Sequence, residues 1–132
     1  MDKIVIFIVS IVIFVGVLFW GWQSGFFAGI FSGPVKPTPL PAGIVFFYGN
    51  TCPHCKDVED YISANKIDQK VKFTSLEIFA NQNNAALAYQ VETSCKIDTS
   101  KGVEVPLVYD GTKCYLGAPD AINFFKTQAG IK

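Results

Sequence analysis

The hydrophobic positions of this chain form one long continuous run, followed by a series of short segments. The run extends from Ile4 to Trp22, and Ser10 is its one polar side chain. As a helix it would be about 28 Å long, close to the hydrocarbon thickness of a bilayer. Trp20 and Trp22 fall at its far end, where interfacial aromatic residues anchor membrane helices. We therefore predict a transmembrane anchor with an interfacial segment over residues 1–31.

A cleaved secretory signal is the alternative interpretation of this segment. The apolar region of such a signal is usually shorter, about 7–15 residues, and a small-x-small site follows it. Here aromatic residues such as Phe26, Phe27 and Phe31 follow the run, which favours an uncleaved anchor. Lys3 and the free amine slightly outweigh Asp2, so the N-terminus is expected in the cytoplasm. Both interpretations predict that the rest of the chain is extracytoplasmic.

Prolines dominate the next segment, residues 32–42. They are Pro34, Pro37, Pro39 and Pro41. This spacing holds the backbone near polyproline II and blocks both helix and sheet. We predict a linker here, followed by one domain over residues 43–132.

The pattern of that domain alternates between strand-like and helix-like segments. A continuous apolar run is typical of a strand buried on both faces, and Asp-Gly between two apolar runs indicates a hairpin. The predicted elements are strand Ile44–Tyr48, a helix from Pro53 to Asn65, strand Val71–Ile78, helix Ala80–Thr93, strands Val105–Tyr109 and Lys113–Leu116, and a helix that begins at Pro119. The order β-α-β-α-β-β-α predicts an α/β fold with a mixed sheet.

The predicted core consists of apolar positions and aromatic rings. The second helix contributes Ala86, Leu87, Tyr89 and Val91, and the last contributes Ile122, Phe125 and Ala129 at helical spacing. The aromatic residues assigned to the core are Phe46, Phe47, Phe73, Phe79, Phe124 and Phe125. The acids Asp57, Glu59 and Asp60 are assigned to the solvated face of the first helix.

The charge balance and the cysteine content limit the classes of partner and the compartment that this chain suits. The chain has 11 basic residues, all lysine, against 11 acidic ones. This balance argues against a nucleic-acid partner and against polybasic binding to a membrane surface. The cysteines are Cys52, Cys55, Cys95 and Cys114, an even number that fits two disulfides in an oxidising compartment.

The chemistry is concentrated at Cys52-Pro53-His54-Cys55, between a strand and a helix. Two cysteines at this spacing and in this context are typical of reversible dithiol–disulfide exchange. Cys52 would face the unpaired N–H groups at the helix N-terminus, so we expect the pKa of its thiol to lie below that of a free cysteine. We assign Cys52 as the exposed nucleophile, Cys55 as the buried resolving thiol and His54 as a nearby donor that favours the thiolate.

A metal site is the rival interpretation of the same residues. Cys52, His54 and Cys55 are soft ligands suited to Cu(I) or Zn²⁺, but a structural zinc site requires four ligands. Cys95 and Cys114 are the residues that could complete it. Because the cysteine pair opens a helix, redox chemistry is favoured, and we expect neither a metal nor a cofactor.

From Gly43 to its C-terminus the chain resembles the thioredoxin superfamily, and in its compact length a glutaredoxin. The resemblance rests on Cys52-Pro53-His54-Cys55, on Val105-Pro106 at the start of the hairpin and on Gly117-Ala118-Pro119-Asp120 after it. The Pro-His pair between the cysteines is similar to that of DsbA-type periplasmic oxidants. The resemblance implies that Pro106 is a cis-proline opposite the cysteines and that the backbone of Val105 binds an extended substrate segment.

Two departures from these families bear on the direction of the reaction. Thioredoxins carry a buried carboxylate in the first strand, and residues 44–47 offer none. Of the glutathione-holding pattern of glutaredoxins after the hairpin only Asp120 remains, so we do not expect glutathione as a substrate. Oxidation of protein thiols is therefore favoured over reduction.

Cys95 and Cys114 require a separate interpretation. A bridge between them would close a loop of about 20 residues and stabilise the domain by roughly 3 kcal/mol. We favour a structural disulfide. Two buried thiols and a second redox pair that relays electrons to the first are the alternatives.

The sequence thus predicts a membrane-anchored, extracytoplasmic thiol–disulfide oxidoreductase with a thioredoxin-like fold. Its partners would be protein or small-molecule thiols and disulfides, and the membrane through its N-terminal helix. The alternatives are a reductase, a tethered copper- or zinc-binding module, and a non-catalytic module in which Val105 and Pro106 bind an extended peptide.

Overall fold

The computed structural model describes residues 3–23, with the side chains of 3–20, and residues 38–132. The predicted interfacial part of the anchor and most of the predicted proline-rich linker lie outside these residues, as does the side chain of Trp22. The chain divides into two units, Met1–Pro37 and Thr38–Lys132.

In the N-terminal unit, the described residues 3–23 form one helix, α1, which extends from Lys3 to Gln23. Its segment Lys3–Trp20 is long and apolar enough to cross a membrane, a property that anchors and signal sequences share. The side chains of residues 3–20 are exposed in the isolated chain. A helix that is apolar on all sides requires an apolar surrounding, because water would contact all of this surface.

The C-terminal unit has the predicted order of helices and strands. The elements are β1 (Ile44–Tyr48), α2 (Pro53–Ala64), a short 3₁₀ helix (Ile67–Gln69), β2 (Phe73–Glu77), α3 (Gln82–Ser94), β3 (Leu107–Tyr109), β4 (Cys114–Leu116) and α4 (Ala118–Gln128). The strands form one sheet in the order β2-β1-β3-β4. β1 and β2 are parallel, whereas β3 is antiparallel to both β1 and β4.

The central strand β1 is buried on both faces, as its continuous apolar sequence predicts. Phe46 points to one side of the sheet, while Val45 and Phe47 point to the other. The side chains of one strand alternate between the two faces, so two separate hydrophobic clusters form. Helices cover both faces because each cluster must be shielded from water.

The first cluster joins α2 and α4 to the sheet. Its buried members are Phe46, Val58, Ile67, Val71, Val108, Ala118, Ala121, Phe124 and Phe125. The second cluster joins α3 to the opposite face. Its buried members are Val45, Phe47, Ile78, Ala88, Val91, Leu107 and Tyr109. The Cys52-Pro53-His54-Cys55 motif lies at the start of α2, which follows the C-terminal end of β1 in the chain.

The predicted apolar positions of α3 are partly wrong. Ala86 and Tyr89 are exposed, whereas Ala88, Val91 and Glu92 are buried. Positions three and four residues apart lie on one face of a helix, so the face that contacts the sheet includes the charged Glu92.

The assignment of Phe79 to the core is also wrong. Half of its side chain is exposed, and its ring lies over the backbone of Gly49. A Cβ atom at Gly49 would overlap the ring of Phe79. The position of Phe79 therefore depends on a glycine distant from it in sequence.

Some predicted strands are too long. β2 begins at Phe73 rather than Val71, and β3 begins at Leu107 rather than Val105. Pro106 lacks an N–H group and cannot donate to a strand ladder, so regular pairing begins after it.

Candidate active site

Cys52 occupies the N-cap position of α2, and Pro53 is the first helical residue. The backbone of Cys52 is extended, with φ −90° and ψ 114°. Its Sγ atom accepts a hydrogen bond from the backbone N–H of Cys55 at 3.1 Å. Proline is well suited to the first helical position, because the N–H it lacks would have no partner within the helix. The sequence thus places a sulfur atom where a helix usually has a serine or aspartate oxygen.

A disulfide joins Cys52 to Cys55, and their Cα atoms are 5.3 Å apart. Cys52 is half-buried, whereas Cys55 is completely buried in the first turn of α2. An incoming thiolate can therefore reach the sulfur of Cys52 more readily than that of Cys55.

The N-terminus of α2 favours negative charge on Cys52. The first N–H groups of a helix have no partner within it, and the helix dipole adds partial positive charge at this end. When the disulfide is reduced, a thiolate at Cys52 would be a stronger acceptor for the Cys55 N–H group than a neutral thiol. This surrounding is known to lower thiol pKa values and to increase thiolate content.

Val105 and Pro106 face the cysteine pair. The peptide bond between them is cis, and the carbonyl oxygen of Val105 is 3.8 Å from the Sγ atom of Cys52. Pro106 is fully buried, while Val105 is half-buried. The carbonyl of Pro106 accepts a hydrogen bond from the N–H group of Gly117 at 2.8 Å, which connects this segment to the end of β4.

The side chain of His54 lies at the exposed surface of α2. The Nδ1 atom of His54 is 3.6 Å from Oδ2 of Asp57 one turn along α2. This is an ion pair only when the imidazole is protonated. Lys56 and Asp60 form a second exposed pair on the same helix. The structure therefore groups Cys52, Cys55, Val105 and Pro106, and it leaves His54 at the margin of the site.

Glu77 at the end of β2 supports the loop before Cys52, a role the sequence did not reveal. Its carboxylate accepts hydrogen bonds from the N–H groups of Ala80 and Phe79, both at 2.8 Å, and from Asn50 at 3.4 Å. The bond from Ala80, together with those from Phe79 and Asn50, holds the pKa of Glu77 below its usual value. One carboxylate thus links the β2–α3 loop to the cysteine loop.

Glu92 is a second carboxyl group that sequence analysis did not single out. It is fully buried on α3, and its Oε1 atom accepts a hydrogen bond from the N–H group of Glu104 at 2.8 Å. Its Oε2 atom has no hydrogen-bond partner among the described residues. Burial raises the pKa of Glu92, and the charge of Glu104 raises it further, while the hydrogen bond from Glu104 partly offsets both effects. The available signal was its helical spacing from Ala88.

A second disulfide joins Cys95 to Cys114, whose Cα atoms are 6.1 Å apart. Cys95 is the C-cap of α3, and Cys114 begins β4. The Sγ atom of Cys114 is 3.8 Å from the carbonyl oxygen of Val91. The bridge therefore connects the helix on one face of the sheet to its edge strand.

Asp120 is exposed in the first turn of α4, where a carboxylate is favoured by the helix dipole. Residues 3–23 and 38–132 contain no group of three or more histidine, cysteine or acidic side chains arranged to hold a metal ion. The cysteines that a zinc site would need are paired as two separate disulfides.

The sheet order, the parallel β1–β2 pair and the helices on both faces define a thioredoxin-like fold, as the sequence predicted. The Cys-x-x-Cys disulfide opens the helix after the first strand of this fold, and a cis-proline precedes β3. A long apolar helix, α1, precedes this domain in the chain.

Several glutaredoxins of known structure are similar to this chain. The glutaredoxin Grx-1 from Archaeoglobus fulgidus is 22% identical, with a TM-score of 0.46 over 66% of this chain and 85% of its own. Oxidized glutaredoxin 2 from Chlamydomonas reinhardtii is 18% identical, with a TM-score of 0.44 over 67% of this chain and 83% of its own. A wheat glutaredoxin is 18% identical, with a TM-score of 0.45 over 70% of this chain and 79% of its own. No protein-family model matches the sequence, and no curated protein matches it.

Proposed function

We propose that this protein is a membrane-anchored thiol–disulfide oxidoreductase that oxidises protein thiols through Cys52 and Cys55. The observation that carries the proposal is the unequal burial of the two sulfurs, at a helix N-terminus that favours a thiolate on the accessible one. A purely structural role for the Cys52–Cys55 disulfide is less favoured, because a disulfide that closes a loop over three positions contributes little loop-closure entropy.

The reaction begins when a substrate thiolate attacks the Sγ atom of Cys52. The Cys52–Cys55 bond breaks, Cys55 leaves as a thiolate, and a mixed disulfide forms between the substrate and Cys52. A second substrate thiolate then attacks the substrate sulfur of this bond and releases Cys52 as a thiolate. The substrate loses two electrons and gains a disulfide, and the protein gains the two electrons as a dithiol. The reverse reaction uses Cys55 to release a reduced substrate.

Two features support the oxidising direction. The helix N-terminus stabilises the Cys52 thiolate, and whatever stabilises the reduced form makes the couple more oxidising. β1 carries no carboxylate beside the cysteines to deprotonate Cys55 during a reductive cycle. Reduction of substrate disulfides is the alternative.

The segment Val105–Pro106 supports a polypeptide substrate. The carbonyl of Val105 lies beside Cys52 and can accept a hydrogen bond from the backbone of an extended chain. Recognition of this kind adds a strand to the protein and depends little on the side chains of the substrate. It suits an enzyme that acts on many thiols.

The arrangement along the chain supports a tethered enzyme. Residues 1–31 would form the anchor and its interfacial segment, residues 32–42 the linker, and residues 43–132 the extracytoplasmic catalytic domain. An oxidising compartment agrees with the two disulfides of the domain.

Replacement of the resolving cysteine tests the proposal. In the variant Cys55→Ser the Cys52 thiolate should attack substrate disulfides, as in the reverse reaction, and a mixed disulfide should accumulate because the Cys55 thiol that would release the reduced substrate is missing. The adducts would be separated on non-reducing gels and identified by mass spectrometry, with Cys52→Ser as the matched control that should trap nothing. Equal trapping by both variants, or none by Cys55→Ser, would contradict the proposed chemistry.

The reduction potential of the wild-type pair decides the direction. An oxidant should equilibrate well above thioredoxin at about −270 mV and towards DsbA at about −120 mV. A value at or below that of thioredoxin would instead identify a reductase.

A further inference from the structure

Glu92 is a buried carboxyl group that the proposed reaction does not use. Its side chain is completely buried on the face of α3 that packs against the sheet, beside Ala88 and Val91. A carboxyl group in this position is unfavourable unless it makes a compensating interaction. Its Oε1 atom makes one hydrogen bond, with the backbone N–H group of Glu104.

No cation balances this carboxyl group in the part of the chain that the structure describes. The two ion pairs there, His54–Asp57 and Lys56–Asp60, both lie on α2. The charged side chain that acts on Glu92 is the carboxylate of Glu104, which has the same sign. An apolar residue would satisfy the packing of α3 without these costs, so the hydrogen bond to Glu104 needs an explanation beyond packing.

Glu92 accepts hydrogen bonds at both ends of the loop that joins α3 to the cis-proline Pro106. Its backbone carbonyl accepts a hydrogen bond from the N–H group of Ile97 at 3.0 Å, and its side chain accepts one from Glu104 at 2.8 Å. Residues 98–103 lie between these two contacts. Glu104 directly precedes Val105, whose carbonyl oxygen is 3.8 Å from the Sγ atom of Cys52. One side chain therefore connects the rigid helix α3 to the segment that faces the active-site sulfur.

We propose that Glu92 is a positioning residue for substrate recognition: its buried carboxyl group fixes the backbone at Glu104 and so sets the carbonyl of Val105 against Cys52. This inference rests on the proposed function, because it assigns to Val105 the binding of an extended polypeptide. The carboxyl group acts through the backbone and touches neither the substrate nor the reacting sulfurs. Replacement of Glu92 should therefore weaken the reaction with peptides that pair with Val105 and leave the reaction with small dithiols unchanged.

The test compares four variants of the full chain in detergent with the wild type. Glu92→Met has similar size but no acceptor, Glu92→Gln keeps an oxygen acceptor, and Glu104→Gln removes the neighbouring exposed charge without altering the N–H donor. Each oxidised protein would be reduced by a synthetic extended peptide with two cysteines, and separately by dithiothreitol. The measured quantities are KM and kcat for the peptide and the second-order rate constant for dithiothreitol.

For Glu92→Met we expect KM for the peptide to rise about tenfold, the range that follows from loss of a buried hydrogen bond. The dithiothreitol rate should stay within about twofold of wild type, because that reagent makes no backbone pairing. Glu92→Gln and Glu104→Gln should retain the wild-type KM. Glu92→Asp, which withdraws the carboxyl group from Glu104, should reproduce the rise in KM and serves as the second variant if Glu92→Met does not fold.

Amide hydrogen exchange at Glu104 gives a readout that does not depend on activity. The Glu104 amide should be protected in the wild type and in Glu92→Gln, and should exchange faster in Glu92→Met and Glu92→Asp. If the Glu104 amide stays protected in Glu92→Met and Glu92→Asp, the positioning role is wrong. It is also wrong if these variants react more slowly with the peptide and with dithiothreitol by the same factor. A wild-type protein that is protected at Glu104 but reacts with neither reagent would instead refute the proposed oxidoreductase function.

Discussion

At the scale of single residues, two glutamates near the site respond to pH in opposite ways. Hydrogen bonds from Ala80 and Phe79 hold the pKa of Glu77 below its usual value of 4.5, whereas burial raises the pKa of Glu92 above it. A lowered pKa means that Glu77 stabilises the fold above pH 4.5 and that this contribution is lost as the pH falls through its folded pKa. A raised pKa means that the fold is most stable with respect to Glu92 below pH 4.5, where the carboxyl group is protonated. This stability is lost as the pH rises through the folded pKa of Glu92.

The variants Glu77→Gln and Glu92→Gln should therefore show opposite pH profiles. Wild type should be more stable than Glu77→Gln at neutral pH, and this difference should shrink as the pH falls below 4.5. The stability of Glu92→Gln relative to wild type should instead increase as the pH rises above 4.5. Thermal unfolding from pH 3 to pH 8 measures both, with Glu59→Gln on α2 as a control for the loss of one acidic group. Parallel profiles for the two variants would contradict these pKa directions.

At the scale of the elements, the bridge between α3 and β4 ties a helix to the edge of the sheet. It spans 19 positions in sequence, whereas the Cys52–Cys55 bridge spans 3. A long closed loop loses more conformational entropy in the unfolded chain than a short one does. We therefore expect the two disulfides to have different functions. Cys95–Cys114 would stabilise the fold, whereas Cys52–Cys55 would carry out the redox reaction.

Replacing Cys95 and Cys114 together by serine should lower the free energy of unfolding by about 3 kcal/mol, the loop-closure value for a loop of this length. Trapping of substrates by Cys55→Ser should persist in the same background. Denaturant unfolding followed by near-ultraviolet circular dichroism gives the first quantity, and non-reducing gels give the second. If trapping disappears while the domain remains folded, Cys95 and Cys114 would be a second redox pair.

The elements that could be predicted from the sequence are those whose patterns are local. β1 was recognised because a strand buried on both faces is apolar throughout, and the cysteine motif was recognised because its residues are adjacent. The face of α3 was misjudged because its apolar residues do not follow one stripe and a glutamate occupies a buried position. Phe79 was misassigned because its exposure is decided by contact with Gly49, and the role of Glu92 depends on a hydrogen bond across 12 positions. No local pattern encodes such contacts.

At the scale of the whole molecule, the two units require different surroundings. α1 is apolar on every side, whereas the C-terminal unit buries its apolar side chains in two clusters around the sheet. If α1 is the membrane anchor that we propose, it would keep the cysteine pair near the membrane.

Fractionation of cells that express the full chain tests this arrangement. We expect the protein in the membrane fraction after a carbonate wash, with its N-terminal residues intact by mass spectrometry, while a chain that begins at residue 38 behind a cleavable signal should be soluble. Added protease should digest the domain in spheroplasts without lysis if it is extracytoplasmic. A soluble full-length product that lacks α1 would identify a cleaved signal, and protection from protease would place the domain inside.

Because the sulfur of Cys52 caps α2, the stability of the fold depends on whether the Cys52–Cys55 pair is oxidised or reduced. This difference in stability can be measured by unfolding the two forms or from the reduction potential of the pair. The protein can be oxidised or reduced and folded or unfolded, which gives four states in a closed thermodynamic cycle. The free-energy changes around this cycle must sum to zero. The difference in unfolding free energy between the two redox forms therefore equals the shift in potential that folding imposes on the dithiol, at about 1.4 kcal/mol for each 30 mV. If the helix prefers the Cys52 thiolate as its cap, the reduced protein should melt at a higher temperature than the oxidised one. The protein would then oxidise its substrates because it is more stable with its own disulfide open.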